Sequence, residues 1–146
     1  MTRLAGLDPG RSKCGIVLVD ADAAQVLEGA VLPCDAVLPK LHAWFASRPL
    51  PLIVVGNGTG SKIWIKQLQR LTTIQTVDEK GSTLEARQRY WELWPTSGWR
   101  RLLPEGLCLP PCDLDAIAAL VMVERHLRRK CSWPGQPPSF KNAHEP

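Results

Sequence analysis

The chain has 146 residues, 45% of them hydrophobic and 22% charged, and its 18 basic and 14 acidic residues leave a formal net charge of +4. That is the size and balance of one globular domain with a real core, and no apolar run approaches the roughly 20 residues that span a bilayer. Asp8, Arg11 and Lys13 interrupt the N-terminal apolar stretch, so there is no signal-peptide pattern and a cytoplasmic location is expected; the mild positive charge suits an anionic partner without requiring one.

Residues 3–8 read as a first strand and 13–19 as a second, nearly all apolar, as a central strand should be. Between them Asp8-Pro9-Gly10 is a turn signal, because Pro fixes φ and Gly frees it. The short loop predicts an antiparallel hairpin that ends its first strand in a carboxylate, with the cations Arg11 and Lys13 just beyond. Residues 25–32 extend this to a three-stranded meander. Leu38, Leu41, His42 and Phe45 lie at helical spacing, and Pro49 and Pro51 stop that helix.

Leu52 to Val55 is a short apolar run of parallel-strand type, entering Gly56-Asn57-Gly58-Thr59-Gly60-Ser61-Lys62. This segment lacks the Gly-x-x-x-x-Gly-Lys-Ser/Thr spacing of a nucleotide phosphate loop. It reads either as a backbone-amide nest for a nucleic-acid phosphate, with Lys62 beside it, or as a plain strand-to-helix connection. A helix with Ile63, Ile65, Leu68 and Leu71 follows, then a β-branched strand over 73–77 that ends in Asp78-Glu79-Lys80. Ser82 and Glu85 have the spacing of a capping box, with Ser82 at the N-cap, opening a helix that carries Arg87 and stops near Trp94, before Pro95. Residues 95–112 are rich in Pro and Gly and read as irregular, and a last helix begins near Asp113.

Residues 1–131 are thus expected to form one α/β domain: three antiparallel strands, two parallel strands reached through helical crossovers, and flanking helices. Residues 132–146, with four Pro, are expected to form a disordered tail. Five Cys at irregular spacing read as core residues or free thiols. Cys108 and Cys112 alone do not make a zinc site.

In such a sheet, ligands gather at the carboxyl ends of the parallel strands. Asp8 ends the first strand, Asp78 and Glu79 follow the last, and Asp113 and Asp115 open a helix that can cross the same edge. Each has a plain structural reading as a turn residue, a polar strand end, an N-cap or a first-turn acid. Their joint placement is what suggests chemistry, since clustered carboxylates repel unless a hard cation such as Mg²⁺ or Mn²⁺ joins them.

Three stretches carry a resemblance. Asp8-Pro9-Gly10, then Gly15 and an apolar strand, resembles the first motif of ribonuclease H-like nucleases of the Holliday-junction-resolvase type. Val77-Asp78-Glu79-Lys80-Gly81-Ser82-Thr83-Leu84-Glu85-Ala86 resembles the Asp-Glu-Arg-Leu-Ser/Thr-Thr-x-x-Ala motif of the YqgF family, with Lys80 for Arg and Gly81 for Leu. Asp115-Ala116-Ile117-Ala118-Ala119 resembles that family's third motif. The resemblance implies a ribonuclease H-like fold and a metal-dependent nuclease acting on precursor rRNA or Holliday junctions. It implies Asp8, Glu79 and Asp115 as catalytic and metal-binding carboxylates, with Asp113 and Asp78 in reserve. Phosphate contacts are expected from Arg11, Lys13, Lys62, Lys80 and Arg87.

Trp91, Trp94 and Trp99 with Arg100 and Arg101 read either as stacking and phosphate-neutralising groups for RNA or branched DNA or as core packing with a homodimer surface. The alternative to an enzyme is a nucleic-acid-binding or ribosome-assembly factor that keeps the fold without the chemistry. A related actin-like phosphate site would need a second lobe that this chain is too short to supply.

Overall fold

The computed structural model describes residues 1–58, 60–95, 102, 110 and 112–138. Strands β1 (Arg3–Asp8), β2 (Lys13–Asp20) and β3 (Gln25–Pro33) form the meander. Helix α1 (Cys34–Ser47) leads to β4 (Leu52–Gly56), α2 (Ser61–Leu68) to β5 (Thr73–Val77), and α3 (Ser82–Leu93) and α4 (Asp115–Leu127) follow among the described residues. The sheet order is β3-β2-β1-β4-β5. β1 pairs antiparallel with β2, β2 antiparallel with β3, and β4 runs parallel to both β1 and β5. The order and directions are those of the ribonuclease H-like sheet. No helix among the described residues is long and apolar enough to cross a membrane.

Alternation along the strands divides the core. Ala5, Leu7, Ile16, Leu18, Ile53 and Val55 face α1 and α2, meeting Val37, Leu41, Trp44 and Leu68. Leu4, Val17, Val19 and Val54 face the other way and meet Leu120, Met122 and Val123 of α4. Every residue from Ala116 to Glu124 is buried, because α4 carries the sheet on one side and α3 on the other. Small residues let α4 lie this close: a Cβ at Gly6 would stand 2.6 Å from Val123 Cγ2 and 2.8 Å from the Ala119 carbonyl oxygen.

Helix α3 is tied to α4 by a buried ion pair. Arg89 donates through Nε to Glu124 Oε1 (3.0 Å) and through Nη2 to Glu124 Oε2 (2.9 Å) and the Cys131 carbonyl (2.7 Å). Glu124 also accepts the Cys131 N–H at 2.7 Å, so both charges are hydrogen-bonded as burial requires.

The expected capping box does not form. Gly81, at φ +74°, is the N-cap of α3 with no side-chain cap bond, Ser82 is the first helical residue, and Glu85 pairs with Arg125 of α4 at 2.5 Å. A glycine at left-handed φ supplies the turn without a hydroxyl cap, and the tertiary cation takes the glutamate. Helix α4 begins two residues later than expected, with Leu114 as its N-cap, so Asp113 lies outside it. Leu71 lies beyond the end of α2.

The chain remains packed past residue 131, where the sequence places the end of the domain. The Ser132 N–H donates to Ala24 and its carbonyl accepts from Val26, Trp133 covers Gly29, and Trp94 Nε1 donates to the Gly135 carbonyl at 3.0 Å. Residues 139–146 of the expected tail lie outside the described residues.

Candidate functional site: an edge of three carboxylates

The parallel registers Leu7↔Val55 and Gly56↔Val77 bring the ends of β1, β4 and β5 out side by side. Asp8, Gly56 and the Asp78–Glu79 pair therefore emerge along one edge. Asn57 continues the ladder past the strands: its N–H donates to the Val77 carbonyl (3.1 Å), and its Oδ1 accepts the Glu79 N–H (3.2 Å). This fixes the backbone of Glu79. The side chain turns back over β4, where a Cβ at Gly56 would stand 3.0 Å from Glu79 Oε2 and a Cβ at Gly58 would overlap the carboxylate. Gly56 and Gly58, candidates for a phosphate nest, thus make room for an acid.

Asp115 arrives from the other side. β2 begins beside Asp8 through the pair Asp8↔Gly15, and the main chain of Asp115 lies directly on Gly15, where a Cβ would overlap its carbonyl. The first turn of α4 therefore seats over the end of β1.

The electrostatics register this shared edge. Burial first, then the charges of Asp115 and Glu79, push the Asp8 carboxyl up to about 7. Burial also raises Asp115, against the opposing pull of Lys13. Asp115 Oδ2 is buried without a hydrogen-bond partner; Lys13 Nζ stands 3.8 Å from it, an ion-pair distance too long for a hydrogen bond.

Among the described residues, no group of three or more His, Cys, Asp or Glu side chains converges closely enough to hold a metal ion as it stands. The chemistry of the donor set still fits a hard divalent cation: oxygens only, mutually repulsive, with one buried oxygen unsatisfied.

The two reserve acids have other work. Asp78 is exposed and its Oδ1 accepts the Lys80 N–H at 2.9 Å, closing a local turn. Asp113 accepts from Lys13 Nζ at 2.6 Å, the main reason the Lys13 ammonium is held above its ordinary range. Lys13 thus reaches back to the acids at the start of α4. Arg11, Lys62 and Lys80 are exposed, and Arg87 is half-buried.

Tyr90 packs edge-on against Trp91 at 4.9 Å between ring centroids, Trp94 lies 5.3 Å from Tyr90, and Trp133 lies 5.4 Å from Trp94. Trp91 and Trp94 thus serve the packing reading. Trp99, Arg100, Arg101, Thr59 and Cys108 lie outside the described residues.

Arg125 is a site residue that the sequence reading passed over. From the last turn of α4, its Nη1 donates to the Asp78 carbonyl (2.6 Å) and its Nη2 to the Lys80 carbonyl (3.2 Å), clamping the turn that carries Glu79. It reads locally as one cation of a basic helix end, and nothing in its own segment marks it out. Asn57, between two glycines at a strand end, carried a signal that could have been used.

No family model matches the chain, and no curated protein matches it. Among solved structures, T. thermophilus RuvC in complex with Holliday junction substrate superposes with a TM-score of 0.48 at 15% identity, over 86% of this chain and 96% of that one.

Proposed function

We propose that this chain is a metal-dependent phosphodiesterase of the YqgF type, cutting structured nucleic acid, either precursor rRNA or branched DNA. One observation carries the reading: Asp8, Glu79 and Asp115, from three distant segments, share one sheet edge closely enough that the latter two help raise Asp8 to about 7. Such repulsion disfavours the fold and is relieved by a cation. Asp8, Glu79 and Asp115 would hold Mg²⁺ or Mn²⁺, which when bound supplies Lewis-acid activation of water and charge stabilisation at the leaving oxygen.

The chain's own residues prepare that edge. Asn57 and Arg125 fix the turn that presents Glu79, while Gly56 and Gly58 accept its carboxylate. Gly15 seats Asp115 next to Asp8. Arg11, Lys62 and Lys80 stand exposed for phosphate contacts.

The test is cleavage of precursor rRNA and of four-way junctions with Mg²⁺ or Mn²⁺, comparing the natural chain with Asp8→Asn. Metal-dependent cleavage that disappears in Asp8→Asn is the expected result. Tight binding without cleavage under either metal would replace this reading with that of a non-catalytic binding or assembly factor. The observation favouring the second reading is Lys13, whose ammonium already sits against Asp113 and near Asp115.

A further inference from the structure

The turn that presents Asp8 rests on two sulfur atoms. Cys14, buried in β2, and Cys34, the half-buried first residue of α1, stand with their Sγ atoms 3.6 Å apart. That is van der Waals contact, with no room for an atom between them.

The fold holds both ends. β2 is paired on both sides, by β1 and by β3. The Cys14↔Leu32 pair places Cys34 two residues past the point opposite Cys14. Helix α1 starts there, and the Cys34 N–H donates to the Ser12 carbonyl at 3.3 Å. Cys34 Sγ also lies 3.5 Å from the Gly10 carbonyl and 3.6 Å from that of Arg11. The other described cysteines belong elsewhere: Cys112 packs in the α3–α4 cluster and Cys131 in the core beneath α4.

We propose that Cys14 and Cys34 are an oxidisable dithiol, which a peroxide converts to an intramolecular disulfide beneath the Asp8–Lys13 turn. Disulfide geometry needs the sulfurs about 2.05 Å apart, about 1.5 Å closer than they stand. Burial drives the Cys14 thiol up to about 12, so Cys14 does not meet the oxidant first. Cys34, the more accessible sulfur, attacks hydrogen peroxide as its thiolate. An S–O bond forms, the O–O bond breaks, and hydroxide leaves and is protonated to water. Cys14 then attacks the Cys34 sulfenic acid: the S–S bond forms, the S–O bond breaks, and hydroxide departs with the Cys14 proton as a second water. Two thiols and one peroxide give one disulfide and two waters. The product has no S–H to set against the Gly10 and Arg11 carbonyls, and it fastens the turn covalently to α1.

The experiment needs no nuclease activity and stands apart from the proposed function. The folded full-length chain is treated with hydrogen peroxide, alkylated, digested with trypsin and weighed. Cys14 and Cys34 fall in one tryptic fragment, residues 14–40, since no Lys or Arg lies between Cys14 and Lys40. The expected fragment is unalkylated and lighter by two hydrogens, gains two alkyl groups after dithiothreitol, and is cut by a Glu-specific protease into two pieces that stay linked until reduced. In Cys34→Ser the link is lost. Full alkylation of both residues after peroxide, Cys34 sulfinic acid beside a free Cys14, or a link from either to Cys108 or to a second chain would each overturn the proposal. The mapping on the natural chain stands even if a variant fails to fold.

Discussion

Gly15 and Asp115 meet main chain to main chain: the carbonyl of Asp115 fills the space that a side chain at Gly15 would need. The obstacle is backbone at the start of a buried helix, which cannot swing away as a flexible side chain can. Gly15→Ala is therefore expected to lift the first turn of α4 and to cost about 2–3 kcal/mol or more, the upper part of the overpacking range. Urea denaturation of the two proteins measures it. A loss below about 0.5 kcal/mol would show that α4 does not seat here.

Gly58→Ala separates the site from the fold. The atoms nearest its added methyl are those of the Glu79 carboxylate, the far end of a flexible side chain. Stability should hold within about 1 kcal/mol, since alanine also restricts the unfolded chain. Mn²⁺ affinity, read by titration calorimetry, should fall about tenfold or more as Glu79 is displaced, comparable to loss of a supporting group. Unchanged affinity would remove Glu79 from the metal set.

Asp8 makes the metal-free protein sensitive to pH. Its folded value of about 7 lies above the ordinary 3.8, so the folded state prefers the protonated form. Its contribution is fully present below about pH 4 and is lost as pH rises through about 7. Asp8→Asn lacks this loss. With chelator present, the variant should pull ahead of the natural chain between pH 4 and 7, then hold a constant lead on the order of 4 kcal/mol. Thermal melts across that range read it, and a lead independent of pH would refute the electrostatic account. Mn²⁺ should narrow the lead by stabilising only the natural chain.

Arg89 and Glu124 are each about nine-tenths buried. Removing one partner leaves a charge in the core, so Arg89→Met should cost about 3–5 kcal/mol. Arg89→Met with Glu124→Leu should cost less than Arg89→Met alone, because no buried charge remains. A double-mutant cycle in urea decides this; strict additivity would mean that the pair contributes nothing as a pair.

The sheet was legible because its signals are local. Apolar runs of strand length, Asp8-Pro9-Gly10 and the β-branched Thr73–Val77 mark strands and turns within a few residues. The three acids were legible as strand and helix ends, because topology alone delivers such ends to one edge. The rest depends on residues far apart in the chain. Lys13 finds Asp113 across 100 positions, and Arg125 finds the Asp78–Lys80 turn across more than 40. The capping box misled for the same reason: Ser82 and Glu85 satisfy a local pattern, but Gly81 makes the turn and Arg125 takes the glutamate. Asp113 was read as opening α4, whereas its partner is Lys13 and the helix begins at Asp115.

Helix α4 is buried along most of its length and carries the third acid at its first residue. Asp8 and Glu79 precede Asp115 in the chain, and α4 packs on the sheet at two close approaches, Asp115 on Gly15 and Val123 on Gly6. If the three acids act together as proposed, a chain that stops before residue 115 lacks both the third acid and the helix that covers the second face of the sheet.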